Sequence, residues 1–314
     1  MNDVARLVFD AMATRPRKLP TSLLYDDLGC DLFVQITELD EYYLTRTERG
    51  ILDRHSAEMC DLFFDGGRAF ALAEIGCGTA EKTELLLSAA LRVVPHCRFL
   101  ACDIAGAPLE AARVRLAQRL PDVRFESFVG THEDAVAQLR TLEERQILLF
   151  LGSSIGNYRD DEAVSLLAAL RKGIRSDALI VIGFDLVKDV ARLESAYNDA
   201  KGVTAKFTMN VLSRLNRDAG TDFQLEKFRH FAKWDAQAGH ILVGVQSLTE
   251  QSIKFDSRST IQLEANEVLE IEVSCKYSTE RIDRIFTSAG LVRWTTFFDD
   301  ANDFAVVLAS LKLG

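Results

Sequence analysis

The segment Ala73–Thr83, A-E-I-G-C-G-T-A-E-K-T, constrains this chain more than any other. An apolar run (Phe70, Ala71, Leu72, Ala73) leads into it, and apolar residues at helical spacing (Leu85, Leu86, Leu87, Ala90, Leu91) leave it. That pattern is a buried strand, a tight turn and a helix. Gly76 and Gly78 let the backbone turn sharply and approach a ligand closely. The dinucleotide fingerprint wants a third glycine at position 81, where this chain has Glu81. A pyrophosphate would meet a carboxylate there. With Glu74 on the other side of the turn, the acidic flank suits a cationic or zwitterionic ligand better. S-adenosylmethionine, with a sulfonium, an ammonium and no phosphate, has that character.

The next strand, R-F-L-A-C-D-I, ends at Asp103. An acid there hydrogen-bonds ribose hydroxyls in nucleotide-binding α/β folds. The alternative reading is a cap for the helix that begins at A-P-L-E-A-A. Buried strands and amphipathic helices go on alternating. A helix is expected at about 106–120, a strand at Val123–Val129, and a short helix after T-H-E-D. The apolar strand I-L-L-F then breaks into L-G-S-S-I-G-N, before a helix at about 160–172 and the strand A-L-I-V-I-G-F-D. This alternation means a doubly wound sheet. Near Tyr197 the style changes. A helix at about 203–218 precedes F-R-H-F-A-K-W, I-L-V-G-V-Q-S-L, Q-S-I-K-F and V-L-E-I-E-V-S-C-K-Y, which alternate with period two and predict an inserted antiparallel sheet. The end returns to helix, strand, strand, a terminal hairpin that closes a seven-stranded sheet.

The expected fold is therefore α/β, a Rossmann-like seven-stranded domain over 51–190 and 278–314, with an inserted α+β domain over 1–50 and 191–277. An apolar share of 48% in 314 residues supplies a sizeable core. A net charge of −10 argues against a nucleic-acid partner, which needs a clustered positive surface. The basic set Arg113, Arg115 and Arg119 reads as the solvated face of a helix. Neither a signal peptide nor a membrane span is expected, and six cysteines without C-x-x-C spacing read as free thiols. Five histidines without H-x-x-x-H spacing predict no metal. A cytoplasmic monomer is the expected state.

Motifs spread over nearly the whole chain carry a resemblance: L-P-T-S-L-L-Y-D-D-L-G-C-D-L-F, E-Y-Y-L-T-R-T-E, E-I-G-C-G-T-A-E-K-T, F-L-G-S-S-I-G-N, D-L-V-K-D, A-Y-N-D-A-K-G-V-T-A and E-V-S-C-K. The chain resembles the histidine-specific, S-adenosylmethionine-dependent Nα-methyltransferases of ergothioneine biosynthesis. The resemblance implies that Tyr25, Gly76, Gly78, Lys82, Asp103, Thr131, His132 and Gly152 bind the cofactor, with Lys82 on its carboxylate. Thr131 and His132 stand where family members often have an acid beside the adenine. Tyr42, Asn157, Tyr197, Thr204, Glu272 and Ser274 would bind the amino acid. Tyr25, Phe33 and Asn157 form the implied catalytic set, the rings facing a nitrogen that becomes a quaternary ammonium. Glu272 and Ser274 match the pair that takes the imidazole, and Glu270, on the same face of a period-two strand, is the rival. Val243 stands where some members have methionine, which widens the pocket. The implied reaction is methylation of free L-histidine at the α-amine, to the trimethylated product. Small residues such as Gly152 and Ser153 would leave room for the growing ammonium. The alternatives are another amino acid (tryptophan, tyrosine or a modified histidine) and a cofactor-binding partner protein without catalysis.

Overall fold

The structure, a computed structural model, describes residues 2–255 and 259–312. Backbone contacts divide the chain into two units, Met1–Tyr43 with Lys188–Cys275 and Leu44–Val187 with Lys276–Gly314. In chain order the first unit opens with α1 (Asp3–Met12) and α2 (Asp27–Thr37). The second begins with α3 (Leu44–Phe63), β1 (Phe70–Ile75), α4 (Thr83–Ala90), β2 (Cys97–Asp103) and α5 (Gly106–Arg119). It continues through β3 (Val123–Val129), α6 (His132–Leu139), β4 (Arg145–Phe150), α7 (Asp160–Arg171) and β5 (Leu179–Asp185). The first unit resumes with α8 (Val190–Ser195), α9 (Val203–Ala219), β6 (Phe228–Asp235), β7 (His240–Ser247), β8 (Gln251–Lys254), β9 (Thr260–Leu263) and β10 (Val268–Cys275). The chain returns to the second unit for α10 (Thr279–Ala289), β11 (Leu291–Phe298) and β12 (Phe304–Leu311).

The second unit is a seven-stranded sheet in the order β11-β12-β5-β4-β1-β2-β3. Its first five strands are parallel, and the terminal hairpin enters antiparallel, with β12 against β5. Every residue of β1 and of β5 is buried, which is why both read as apolar runs apart from Glu74 in β1 and Asp185 at the end of β5. From β1 the chain winds outward through β2 and β3, then crosses back to β4 on the other side. The carboxyl ends of β1 and β4 therefore flank the switch point, where open α/β sheets bind ligands. Both chemically suggestive loops, Gly76–Gly78 after β1 and Gly152–Asn157 after β4, leave from there. Helix α3 packs on β5, β11 and β12. A domain cut at residue 50 would pass through that helix.

The first unit is built on a three-stranded antiparallel sheet, β10-β7-β6. The expected single sheet is in fact two, because Gln251–Lys254 pairs with a separate strand, Thr260–Leu263. Helix α9 starts at Gly202 and stops at Gly220, both left-handed, so two glycines set its length. Its apolar stripe (Val203, Phe207, Val211, Leu212, Leu215) is buried with Val245, Leu269 and Ile271 of the sheet and with Leu23 and Leu24 of the N-terminal segment.

Candidate active site

The nucleotide half is built at the carboxyl ends of β1 and β2. Gly76 and Gly78 have φ of +71° and +53°, and a Cβ at either would meet open space. Backbone conformation, not crowding, is what demands glycine there. The Gly78 amide donates to Asp103 Oδ2 at 2.8 Å, and the Ala105 amide donates to Oδ1 at 2.9 Å. Asp103 thus braces the turn and its own loop, and each oxygen keeps a second lone pair. The Gly130 amide donates to the Asp103 carbonyl at 3.0 Å, which sets Thr131 beside this strand end. Thr131 is itself the N-cap of α6, in a capping box with Asp134. The His132 ring lies edge-on to Phe150 at 5.6 Å, with Nδ1 2.6 Å from the Tyr158 hydroxyl.

One expectation fails here. Glu74 is no acidic flank for a ligand: its side chain points into the core and is fully buried, and the Thr83 hydroxyl donates to it. Burial pushes the carboxyl up to about 8, so it is largely protonated at neutral pH. Glu81 does remain a surface carboxylate. The Arg113, Arg115 and Arg119 set is likewise more than a solvated face. Arg115 is three-quarters buried and donates to Glu84 at 2.9 Å and to the Thr79 carbonyl at 2.5 Å, tying α5 to the glycine turn.

Lys82 points to a partner that the sequence reading passed over. Its ammonium pairs with Glu48 of α3, which is wholly buried and also accepts from the Gly152 amide. Gly152 is left-handed at φ +78°, and Ser153 follows at +55°. The Asp185 amide donates to Ser153 Oγ at 3.2 Å, and the Tyr277 hydroxyl donates to the Ile155 carbonyl at 3.0 Å. These bonds hold the short helix Ser154–Asn157 that carries Asn157. Beneath it, Asp185 and Lys276 form an ion pair at 2.7 Å with neither side chain exposed. A signal for Glu48 exists in the sequence: Leu44, Ile51 and Leu52 put it on the apolar stripe of its helix, where a charge needs a partner.

The first unit gathers the amino-acid candidates except Asn157, which belongs to the second. Tyr25 and Phe33 meet edge to face, with centroids 5.9 Å apart. Phe33 meets Tyr42 at 6.4 Å, and Tyr42 meets Tyr197 at 6.2 Å. Phe207 of α9, absent from the sequence expectation, contacts both Tyr25 and Phe33 at 5.8 and 6.0 Å. Five rings thus form one continuous cluster. At its end the Tyr197 hydroxyl lies 2.6 Å from Ser274 Oγ. The Tyr197 carbonyl is 2.8 Å from His230 Nε2, and burial lowers the proton affinity of that ring. Thr204 is buried in the first turn of α9, where Asp199 accepts from the Val203 and Thr204 amides at 2.8 Å each. Burial alone would raise Asp199, yet these hydrogen bonds hold it below the usual carboxylate range.

Strand β10 separates the two rival carboxylates. A bulge falls between Glu270, opposite Gly244, and Glu272, opposite Val243. Beyond it the register runs evenly to Ser274 opposite Ile241, so Glu272 and Ser274 share a face without Glu270. The backbone of Glu270 pairs with the N-terminal segment, through Arg17 O at 2.9 Å and Leu19 N at 2.7 Å. Val243, buried opposite Glu272, is a small residue at this point. Among the described residues, no group of His, Cys, Asp and Glu side chains is placed to hold a metal. None of the described helices is long and apolar enough to cross a membrane.

The chain is similar to known methyltransferases. A family described as histidine-specific, S-adenosylmethionine-dependent methyltransferase matches residues 4–311. The chain is 35% identical to a histidine N-alpha-methyltransferase of Mycobacterium tuberculosis, over 97% of this chain and 94% of that protein. It is 31% identical to ergothioneine biosynthesis protein 1 of Neurospora crassa, over 89% of this chain and 32% of that protein. It is also 25% identical to an L-tryptophan methyltransferase of Psilocybe serbica, over 93% and 87% of the two chains.

Proposed function

The chain belongs to the histidine-specific, S-adenosylmethionine-dependent methyltransferase family, and from that membership we propose that it methylates the α-amine of free L-histidine, three times in succession. The same reading gives it a place in ergothioneine biosynthesis. S-adenosylmethionine is its cofactor and supplies, when bound, an electrophilic methyl on a sulfonium. The residues present fit that group: a left-handed glycine turn at the switch point, a carboxylate at the end of β2 for a ribose, and a lysine for a carboxylate.

The protein's task is to hold an unprotonated amine in line with the carbon–sulfur bond. When bound, the cofactor would give its methyl to the amine lone pair and leave as a neutral thioether. A proton leaves the nitrogen at the first and second transfers, and none at the third. The faces of Tyr25, Phe33 and Tyr42 stabilise the growing cation without hydrogen bonds, which suits a nitrogen that ends with no N–H. Asn157 would hold the α-carboxylate side of the substrate.

The observation that carries the choice of histidine is the polar set on β10. Tyr197 and Ser274 share a hydrogen bond, and Glu272 stands two residues from Ser274 on the same face. An imidazole needs an acceptor for its N–H and a donor or acceptor for the other nitrogen, and this set offers both. The small Val243 opposite Glu272 favours a second reading, a bulkier amino acid such as tryptophan. Methyl transfer measured with each common amino acid, and mass analysis of the product, separates them. Histidine as the fastest substrate with a gain of three methyl groups is the expected result. A faster reaction with tryptophan or tyrosine would replace histidine by the second reading.

A further inference from the structure

Glu48 closes the motif E-Y-Y-L-T-R-T-E and takes no part in the reading above. Its carboxylate is wholly buried, and water cannot compensate its charge. Compensation comes from two groups: the Lys82 ammonium, and the Gly152 amide, at 2.9 Å from Oε1 and 2.8 Å from Oε2. Gly183 makes the room, since a Cβ there would overlap Oε1, while Gly152 is demanded by its left-handed backbone at φ +78°. Glu48 thus ties the first turn after the glycine loop of β1 to the loop after β4, the two segments that flank the switch point.

We propose that Glu48 is the positioning residue for the amino-acid end of S-adenosylmethionine, holding the Lys82 ammonium and the Gly152 loop in their binding geometry before the cofactor arrives. The proposal rests on the reading that Lys82 meets the cofactor's carboxylate. A lysine on the surface samples many rotamers and loses them on binding a ligand. Lys82 has lost them already, because its side chain is only 20% exposed and ends on Glu48. The opposing effect is repulsion between Glu48 and the incoming carboxylate. Lys82 stands between the two with three donor hydrogens, enough to serve both. Pre-organisation therefore decides the sign, and losing Glu48 weakens binding.

The test compares S-adenosylhomocysteine, which has the amino-acid end, with 5′-methylthioadenosine, which lacks it. Affinities are measured by calorimetry for the wild type, Glu48→Gln, Lys82→Met and the double variant. Glu48→Gln should weaken S-adenosylhomocysteine at least roughly tenfold and leave 5′-methylthioadenosine unchanged. The double variant should bind S-adenosylhomocysteine no worse than Lys82→Met alone, since the glutamine carbonyl still accepts from the Gly152 amide and only the link to Lys82 is lost. Equal loss for both ligands would make Glu48 a purely structural residue and overturn the proposal. So would unchanged or tighter binding in Glu48→Gln beside a loss in Lys82→Met, an outcome that leaves the lysine reading standing. No loss in Lys82→Met would remove the lysine reading and the proposal together. If Glu48→Gln does not fold, the double variant, which buries no unpaired charge, is compared with Lys82→Met. Equal affinity supports the proposal, and a further loss overturns it.

Discussion

Asp103 accepts from the Gly78 and Ala105 amides, and in the proposed function the same carboxylate also meets a ribose. Replacing it by alanine removes both. Asp103→Ala should weaken S-adenosylmethionine at least roughly tenfold, about 1.4 kcal/mol, in calorimetric titration. An unchanged affinity would remove Asp103 from the cofactor site. Glu272 makes the matching case on the substrate side. Glu272→Ala should leave cofactor affinity intact and lower kcat/KM for histidine roughly a hundredfold. That is the scale of a lost charge-assisted hydrogen bond plus misplacement. It should also narrow the gap between histidine and apolar aromatic amino acids, because a half-buried carboxylate no longer penalises a side chain that cannot donate to it. An unaltered histidine preference in a steady-state comparison would place the imidazole elsewhere.

Between elements, the Tyr197–Ser274 bond joins the segment after α8 to β10 and fixes a hydroxyl at the end of the ring cluster. Tyr197→Phe keeps the ring and deletes the hydroxyl. It should raise the histidine KM roughly tenfold with a stability change of about 1 kcal/mol, the ordinary worth of one buried hydrogen bond. Kinetics indistinguishable from wild type would show that the Ser274 hydroxyl is placed without Tyr197. At this scale one can see why some parts were readable in advance. The sheet of the second unit was legible because β1 and β5 are buried on both faces and so are apolar apart from Glu74 and the terminal Asp185, and because glycine marks the turn after β1. The bulge in β10 was not, since V-L-E-I-E-V-S-C alternates smoothly and only the pairing with β7 shows where the register slips. Phe207 was hidden for a related reason. On an amphipathic helix a phenylalanine reads as core, and its contact with Tyr25 and Phe33 depends on chain segments about 180 residues away. The apolar stripe of its helix marks Glu48 as a charge that needs a partner, but that partner, Lys82, is set by tertiary packing, which no local spacing encodes.

For the molecule as a whole, Glu74 makes stability depend on pH in a direction opposite to a typical salt-bridged carboxylate. Burial raises its proton affinity from an ordinary 4.5 to about 8, with the Thr83 hydrogen bond and the nearby Lys82 opposing. In the unfolded chain the group releases its proton near 4.5. Below that pH both states hold the proton, and burial carries no ionisation penalty. Between 4.5 and 8 the folded state keeps a proton that the unfolded state has lost. Stability therefore falls as pH rises across this window, by up to about 1.4 kcal/mol per unit, and levels off above 8. The net charge of −10 adds a general repulsion that also grows with pH, so the wild type alone would not isolate the effect. Glu74→Gln does, because it keeps the shape of the neutral acid and every other charge. The buried thiols of Cys60, Cys97 and Cys102, each pushed up to about 12 by desolvation, stay protonated in the fold across the same range. Melting curves of the two proteins from pH 6 to 8 should separate steadily. The wild type should lose roughly 3–4 °C relative to Glu74→Gln over those two units, as about 2.3 kcal/mol spread over a chain of this size implies once the slope halves near pH 8. Parallel curves would mean that Glu74 is ionised in the fold, with Lys82 compensating its charge through the core.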